Sequence, residues 1–231
     1  MIGSVLGEAF EVYRRLWRRS IVVAGIVSLV VSLAQTLANR HLTSWTELVA
    51  VLLSLVGSLL VQGALVEIVR DLHEGRAPAG VGEYYQRTRG RLGTLLGTAI
   101  LYGLGAILIV PIARWALAVP LVMIERLKRR EAFARSSALV RGRTGRVLVL
   151  ILVTYVIAGV AALLVAAVLA FAHGFVGLWL ASAVAGALTV PFQAHVLTVL
   201  YYRLTEPERP ILPVQAERDS WKSVWDEEGK S

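Results

Sequence analysis

The chain has 231 residues, is 56% hydrophobic and 17% charged, and carries a formal charge of +8, with a pI near 10.3 and a mean hydropathy of +0.65. It holds no cysteine, which excludes structural disulfides, thiolate metal sites and a cysteine nucleophile. Arg outnumbers Lys 21 to 3, and these charges flank apolar stretches, so the basic balance reads as membrane topology and not as nucleic-acid binding.

In chain order, residues 2–19 predict an amphipathic helix. Ile2, Val5, Leu6, Ala9, Phe10, Tyr13, Leu16 and Trp17 recur at helical spacing, with Glu8, Glu11, Arg14, Arg15, Arg18 and Arg19 largely opposite. That pattern suits a helix lying in the membrane interface, with Arg14, Arg15, Arg18, Arg19 and Trp17 against anionic headgroups. Packing on the protein's own bundle is the competing reading.

Five apolar runs follow: Ile21–Ala38, Leu48–Val69, Leu92–Ile112, Val147–Ala172 and Phe175–Leu200. Helices of these lengths reach roughly 27–39 Å, enough for a hydrocarbon core of about 30 Å. The first run is too long for a signal-peptide core and is expected to be retained. Ser44-Trp45-Thr46-Glu47 has capping-box spacing and starts the second run. Gly75–Gly82, with Pro78, is a turn. After the third run the chain must return within roughly Ala113–Ile124, about 18 Å if helical, and Pro120 interrupts that arm. The fold expected is all-α: a polytopic helical membrane protein of five full spans plus one short kinked or re-entrant arm. Three interfacial amphipathic helices accompany them, the second and third starting at Gly82-Glu83-Tyr84-Tyr85 and Arg130-Glu131-Ala132-Phe133. The elements read as three divergent copies, near 3–75, 80–128 and 130–204, within one domain of residues 1–204. Residues 205–231, with prolines 207, 210 and 213, are expected to form a flexible cytoplasmic tail too short for its own core.

Seventeen basic residues lie in the segments before Ile21, between Val69 and Leu92, and between Glu125 and Val147; the opposite loops hold Arg40 alone. By the positive-inside rule both termini are cytoplasmic, and the expected site is the cytoplasmic membrane.

Polar residues at membrane depth are the candidates for function because they are costly there. Arg114 sits in an apolar stretch, either paired to an acid or a lipid phosphate or snorkelling at the outer end of a hairpin. Glu67 and Glu125 lie at the inner ends of returning arms, and Gln62, Gln193 and His195 complete an intramembrane polar set. Ser28, Ser32, Thr36, Ser54 and Ser58 line span faces, where such residues mostly bond between helices or to their own backbone. Small-residue rows, at Gly93/Gly97, Ala158–Ala170 and Ser182–Ala187, point to close helix packing or to a homo-oligomer. No metal-ligand spacing, nucleophile elbow or phosphate loop occurs among the residues, so neither a catalytic residue, a metal nor a cofactor is expected.

The run Pro120-Leu-Val-Met-Ile-Glu125, then Glu131-Ala132-Phe133-Ala-Arg135-Ser136-Ser137-Ala-Leu139-Val140-Arg141-Gly142, and the ending Pro191–Tyr202 resemble the membrane domain associated with some glycerophosphoryl diester phosphodiesterases. The acid that follows the tyrosine pair in that family is Arg203 here. The resemblance implies a six-helix-type integral membrane module of prokaryotic type. Phosphodiesterase activity is not implied, since it belongs to a soluble domain for which this chain has no room. The function expected is a non-catalytic module that scaffolds a protein partner or organises membrane lipids, anionic headgroups above all. The alternative is a transporter or permease component for a lipid-like or small anionic solute.

Overall fold

The computed structural model describes residues 2–38, 44–77, 79–105, 113–169 and 174–206. Expectations that fall on Arg40, His173, residues 106–112 and the tail beyond 206 lie outside these. The described residues include, in chain order, the helices α1 (Ile2–Ala38), α2 (Ser44–His73), α3 (Val81–Arg89), α4 (Leu92–Gly105), α5 (Ala118–Ile124), α6 (Arg129–Val140), α7 (Thr144–Val168) and α8 (Phe175–Thr205), with no strand among them. Four of them, α1, α2, α7 and α8, are long and apolar enough to cross a membrane, and the chain is multi-pass by that measure.

Residues 2–19 do not form a separate surface helix. α1 runs unbroken through 37 residues, about 55 Å, and so exceeds the hydrocarbon core of about 30 Å. No Gly or Pro lies between Glu8 and Val23 to interrupt it. The buried stripe of the first half, Val5, Ala9, Val12 and Leu16, packs into the protein's own core. The interfacial expectation fails for that face, because burial against α8 removes the same apolar area that a bilayer would. Phe10 and Trp17 remain outside, 60% and 48% exposed.

The packing is lopsided along the bundle. At the charged end, Leu65, Ile68 and Leu72 of α2, Leu121 and Val122 of α5, and Val199 and Leu200 of α8 are fully enclosed. Towards the other end Val30, Val49, Leu52, Leu152, Leu163, Val168, Val176 and Leu178 are exposed. Such an uninterrupted apolar surface suits acyl chains and not water. Close approaches join the outer halves at a few points. A Cβ at Gly57 would lie 2.7 Å and 2.9 Å from the γ-carbons of Val31 and Val27, and one at Gly186 would lie 2.9 Å from the Ser28 Oγ. Gln35 donates to Ser54 Oγ at 3.1 Å between α1 and α2, while Ser32, Thr36 and Ser58 hydroxyls return to their own backbone. Of the alanine row, Ala158 is buried, Ala162 half-buried and Ala166 exposed.

Leu92–Ile112 is described only to Gly105, and α4 covers 14 residues, about 21 Å. The chain is next seen at Ala113, already beside α6: Ser136 Oγ donates to the Arg114 carbonyl at 2.6 Å and accepts the Leu117 N–H at 3.3 Å. Trp115 packs on Phe133 with ring centroids 4.8 Å apart. The Arg114 backbone is thus held against α6. Pro120 does not interrupt the returning arm. It occupies the first turn of the seven-residue α5, where its missing N–H costs nothing. Gly97 of the Gly93/Gly97 pair makes room for the Arg129 side chain and not for a helix; Gly93 faces open space.

Candidate functional site

The polar residues expected at membrane depth fall into three groups. Gln62 of α2 and Gln193 of α8 line one cavity of about 280 Å³, together with Ser58, Thr98, Trp115, Thr154 and Tyr155 among apolar neighbours. The hydroxyls of Ser58, Thr98 and Thr154 each donate to a backbone carbonyl one turn earlier, at 2.9, 2.8 and 2.7 Å, so they present lone pairs to the cavity. Neither carboxamide makes a hydrogen bond within the protein. Each offers two donors and an acceptor, and leaving such a group without partners away from water costs several kcal/mol on an alkane scale, roughly 4–8. Among the described residues no charged side chain lines this cavity. Its walls come from α2, α4, α7 and α8 and from the 115–119 segment.

His195 does not join the two glutamines. It lies on the face of α8 turned to α1, fully buried, with Nε2 3.0 Å from Ser20 Oγ and Nδ1 without a partner. Nearby, Pro191 breaks the backbone ladder of α8, and Tyr13 Oη donates to the Leu188 carbonyl at 3.2 Å. A proline inside a helix removes one bond and pushes away the carbonyl four residues back, so α1 supplies a donor where the kink loosens the ladder.

Glu67 and Glu125 belong to the charged end and are held apart by separate partners. Glu67 lies 3.6 Å from Arg70 and 3.9 Å from Arg87. Glu125 accepts the Tyr201 hydroxyl at 3.1 Å and lies 3.6 Å from Arg135. No direct bond joins the two acids, so the acid/base pair that would mark an enzyme is not assembled among the described residues. Sequence reading passed over the residue at the centre of this end. Asp71, whose side chain is 1% exposed, meets Arg76 at 2.7 Å and Arg87 at 3.0 Å. Tyr84 packs against the same group, accepts the Ala79 N–H at 3.1 Å, and is pushed up to about 12 by burial, with Asp71 adding to the shift. Burial opposes the Arg87 charge, but Glu83 and Asp71 outweigh it and raise its pKa. This is an ion-pair clamp between α2 and α3.

Of the four arginines assigned to headgroups, Arg14 and Arg18 are exposed beside Trp17, with the Arg18 guanidinium 5.6 Å from the Trp17 ring centroid. That places an aromatic and two cations where α1 enters its apolar run, as at membrane interfaces generally. Arg15 is half-buried. Arg19 is buried and its guanidinium donates to the Ala79 carbonyl at 3.4 Å. Arg114 has an exposed side chain and is not among the cavity residues. Since only its backbone is engaged, Arg114→Leu is expected to leave the melting temperature in detergent unchanged, with or without anionic lipid; a clear loss would mean that the guanidinium has a buried partner.

The segment from Pro120 to Gly142 is also a clamp. Glu125 and Arg135 pair across the turn from α5 to α6, Ser136 ties α6 to the 114–117 turn, and Tyr201 closes on Glu125 from α8. The acids near the starts of α1, α3 and α6 take different partners. Glu8 pairs with Arg203 at 2.6 Å, Glu83 with Arg87 at 2.5 Å, and Glu131 accepts the Lys128 N–H at 3.0 Å. No family model, no curated protein and no solved structure matches the chain.

Proposed function

We propose that the protein is a non-catalytic multi-pass module of the cytoplasmic membrane that organises lipid, and that the Gln62–Gln193 cavity holds an amphiphile entering from the bilayer. The observation that carries this reading is the pair of carboxamides, without partners among the described residues, that line a mainly apolar cavity. A neutral hydroxyl or ester group satisfies them, and the apolar walls suit its chain. In this reading the segment 92–124 enters and leaves on the cytoplasmic side, α1, α2, α7 and α8 cross, and both termini are cytoplasmic. The basic asymmetry and the contact of Arg114 and Trp115 with the basic helix α6 support that topology. The resemblance of Pro120–Gly142 to the phosphodiesterase-associated membrane domain agrees with a non-catalytic role.

The test is mass spectrometry of lipids retained by the protein purified in mild detergent. Wild type is expected to retain a hydroxyl- or ester-bearing lipid that the double variant Gln62→Leu/Gln193→Leu loses. An unchanged lipid profile in the variant refutes the cavity reading. A transporter is the second reading. The cavity favours a lipid-like cargo for it, and the lack of charged lining residues disfavours a small anion.

The topology has its own check. Cysteines at Glu74, Arg141 and His173 are expected to react with an impermeant thiol reagent in intact cells at position 173 only. Glu74 and Arg141 are chosen over Gly75 and Gly142, whose φ of 68° and 78° would strain a cysteine. Labelling at 74 or 141 but not 173 inverts the topology.

A further inference from the structure

The charged end also contains a second concavity, of about 300 Å³, lined by Ser4, Val5, Arg143, Arg146, Leu200, Arg203 and Leu204. Arg143 and Arg146 open α7, while Ser4 comes from the start of α1 and Arg203 from the end of α8. Arg70, Arg76, Arg87 and Arg135 are all engaged by carboxylates. Arg143 and Arg146, by contrast, are exposed and carry no carboxylate partner. Arg203 spends Nε on Glu8 at 2.6 Å, which leaves its two terminal nitrogens. Three guanidinium groups against one carboxylate make the concavity strongly positive.

The backbone adds to this field. No side chain caps the N-terminus of the 25-residue α7. The N–H groups of its first turn and the helix dipole both favour an anion there. Gly145, in that first turn, has open space where a Cβ would stand, and Gly142 turns the chain into it with φ of 78°. The apolar run of α7 starts at Val147, so Arg143 and Arg146 stand where that helix leaves its apolar stretch, and Val5, Leu200 and Leu204 supply the apolar part of the lining. Basic pockets between helices at the cytoplasmic face suit anionic headgroups.

We propose that Arg143, Arg146 and Arg203, with Ser4 and the N-terminus of α7, form a phosphate-binding site at the cytoplasmic face. It takes the phosphate of an anionic phospholipid or a free phosphate. The proposal extends the lipid-organising reading to a headgroup site remote from the Gln62–Gln193 cavity, and either site can fail alone because different substitutions probe them.

The experiment uses the full-length protein in neutral detergent and follows thermal stability during three titrations: mixed micelles of phosphatidylglycerol, mixed micelles of phosphatidylcholine, and inorganic phosphate at constant ionic strength. Arg143→Gln/Arg146→Gln is compared with Arg14→Gln/Arg18→Gln, which removes the same charge from exposed positions elsewhere. The expected result is saturable stabilisation by phosphatidylglycerol and not by phosphatidylcholine, weakened about tenfold or more in the first variant and little changed in the second. If inorganic phosphate saturates with the same dependence on Arg143 and Arg146, the free anion is the ligand; if only the lipid does, the headgroup is. Equal weakening in both variants means diffuse electrostatics and overturns the site, as does the absence of saturation in all three titrations. Loss of the cavity lipid in Gln62→Leu/Gln193→Leu with the phosphate response intact separates this result from the cavity reading.

Discussion

Asp71→Ala is expected to destabilise the protein by about 3 kcal/mol, the lower end of what breaking a buried ion pair costs. The Asp71 carboxylate is almost completely enclosed and neutralises both Arg76 and Arg87. Its loss removes the buried carboxylate that Arg76 and Arg87 share and leaves them the more exposed Glu74 and Glu83 as close partners. The partial exposure of the two arginines, 43% and 35%, lets water compensate in part, which is why the lower end applies. Asp71→Asn keeps the shape and removes the charge, and is expected to fall between Ala and wild type. Thermal melting in detergent, read by circular dichroism, checks the order Asp71, Asn, Ala. A melting temperature for Asp71→Ala within error of wild type would show that the clamp contributes no stability.

The second large effect is expected at Gly57. A leucine there forces α1 and α2 apart, since the atoms in its way are γ-carbons of Val27 and Val31. Valine on a helix has one strongly preferred rotamer and cannot turn aside. Overpacking of this kind costs about 1–3 kcal/mol, and the outer halves have few other contacts to absorb it. Gly57→Leu is therefore expected to lower the melting temperature clearly, and Val27→Ala/Val31→Ala in the same chain to restore part of the loss. If the triple variant melts no higher than Gly57→Leu, the damage does not come from that contact. Gly93→Leu, which meets nothing within 4 Å, is the neutral comparison.

Much of the architecture is written in local pattern. Four of the apolar runs coincide with the long helices, and α2 begins at Ser44 where the capping-box spacing put it. Two of the polar residues singled out by their depth, Gln62 and Gln193, do meet in one cavity. What pattern does not encode is which surface covers an apolar stripe. The Val5–Leu16 face looks alike whether a bilayer or α8 buries it, and only tertiary contact decides. Arg19 has the same composition signal as Arg14 and Arg18 but faces inward, a matter of helical phase against α3. Pro120 reads as a breaker in an assumed arm and as a starter once the helix begins at Ala118. The basic concavity unites residues 4, 143, 146 and 203, which no spacing rule connects. Asp71 was legible as an acid beside Arg70, but its burial depends on Arg87 arriving from the next helix.

The uneven packing along the bundle has a mechanical consequence. The protein is tied at its charged end by ion pairs and by a side-chain core, while its far ends meet at a few points and leave many apolar side chains exposed. A change in bilayer thickness acts on each helix as a lever whose fulcrum is the tied end, and hydrophobic mismatch is relieved by tilt at fractions of a kcal/mol per Å. The outer parts of α1, α2, α7 and α8, with their exposed apolar side chains, lie on the moving side of that fulcrum. Their tilt then follows the thickness and order of the surrounding lipid, so the membrane itself sets how far they splay.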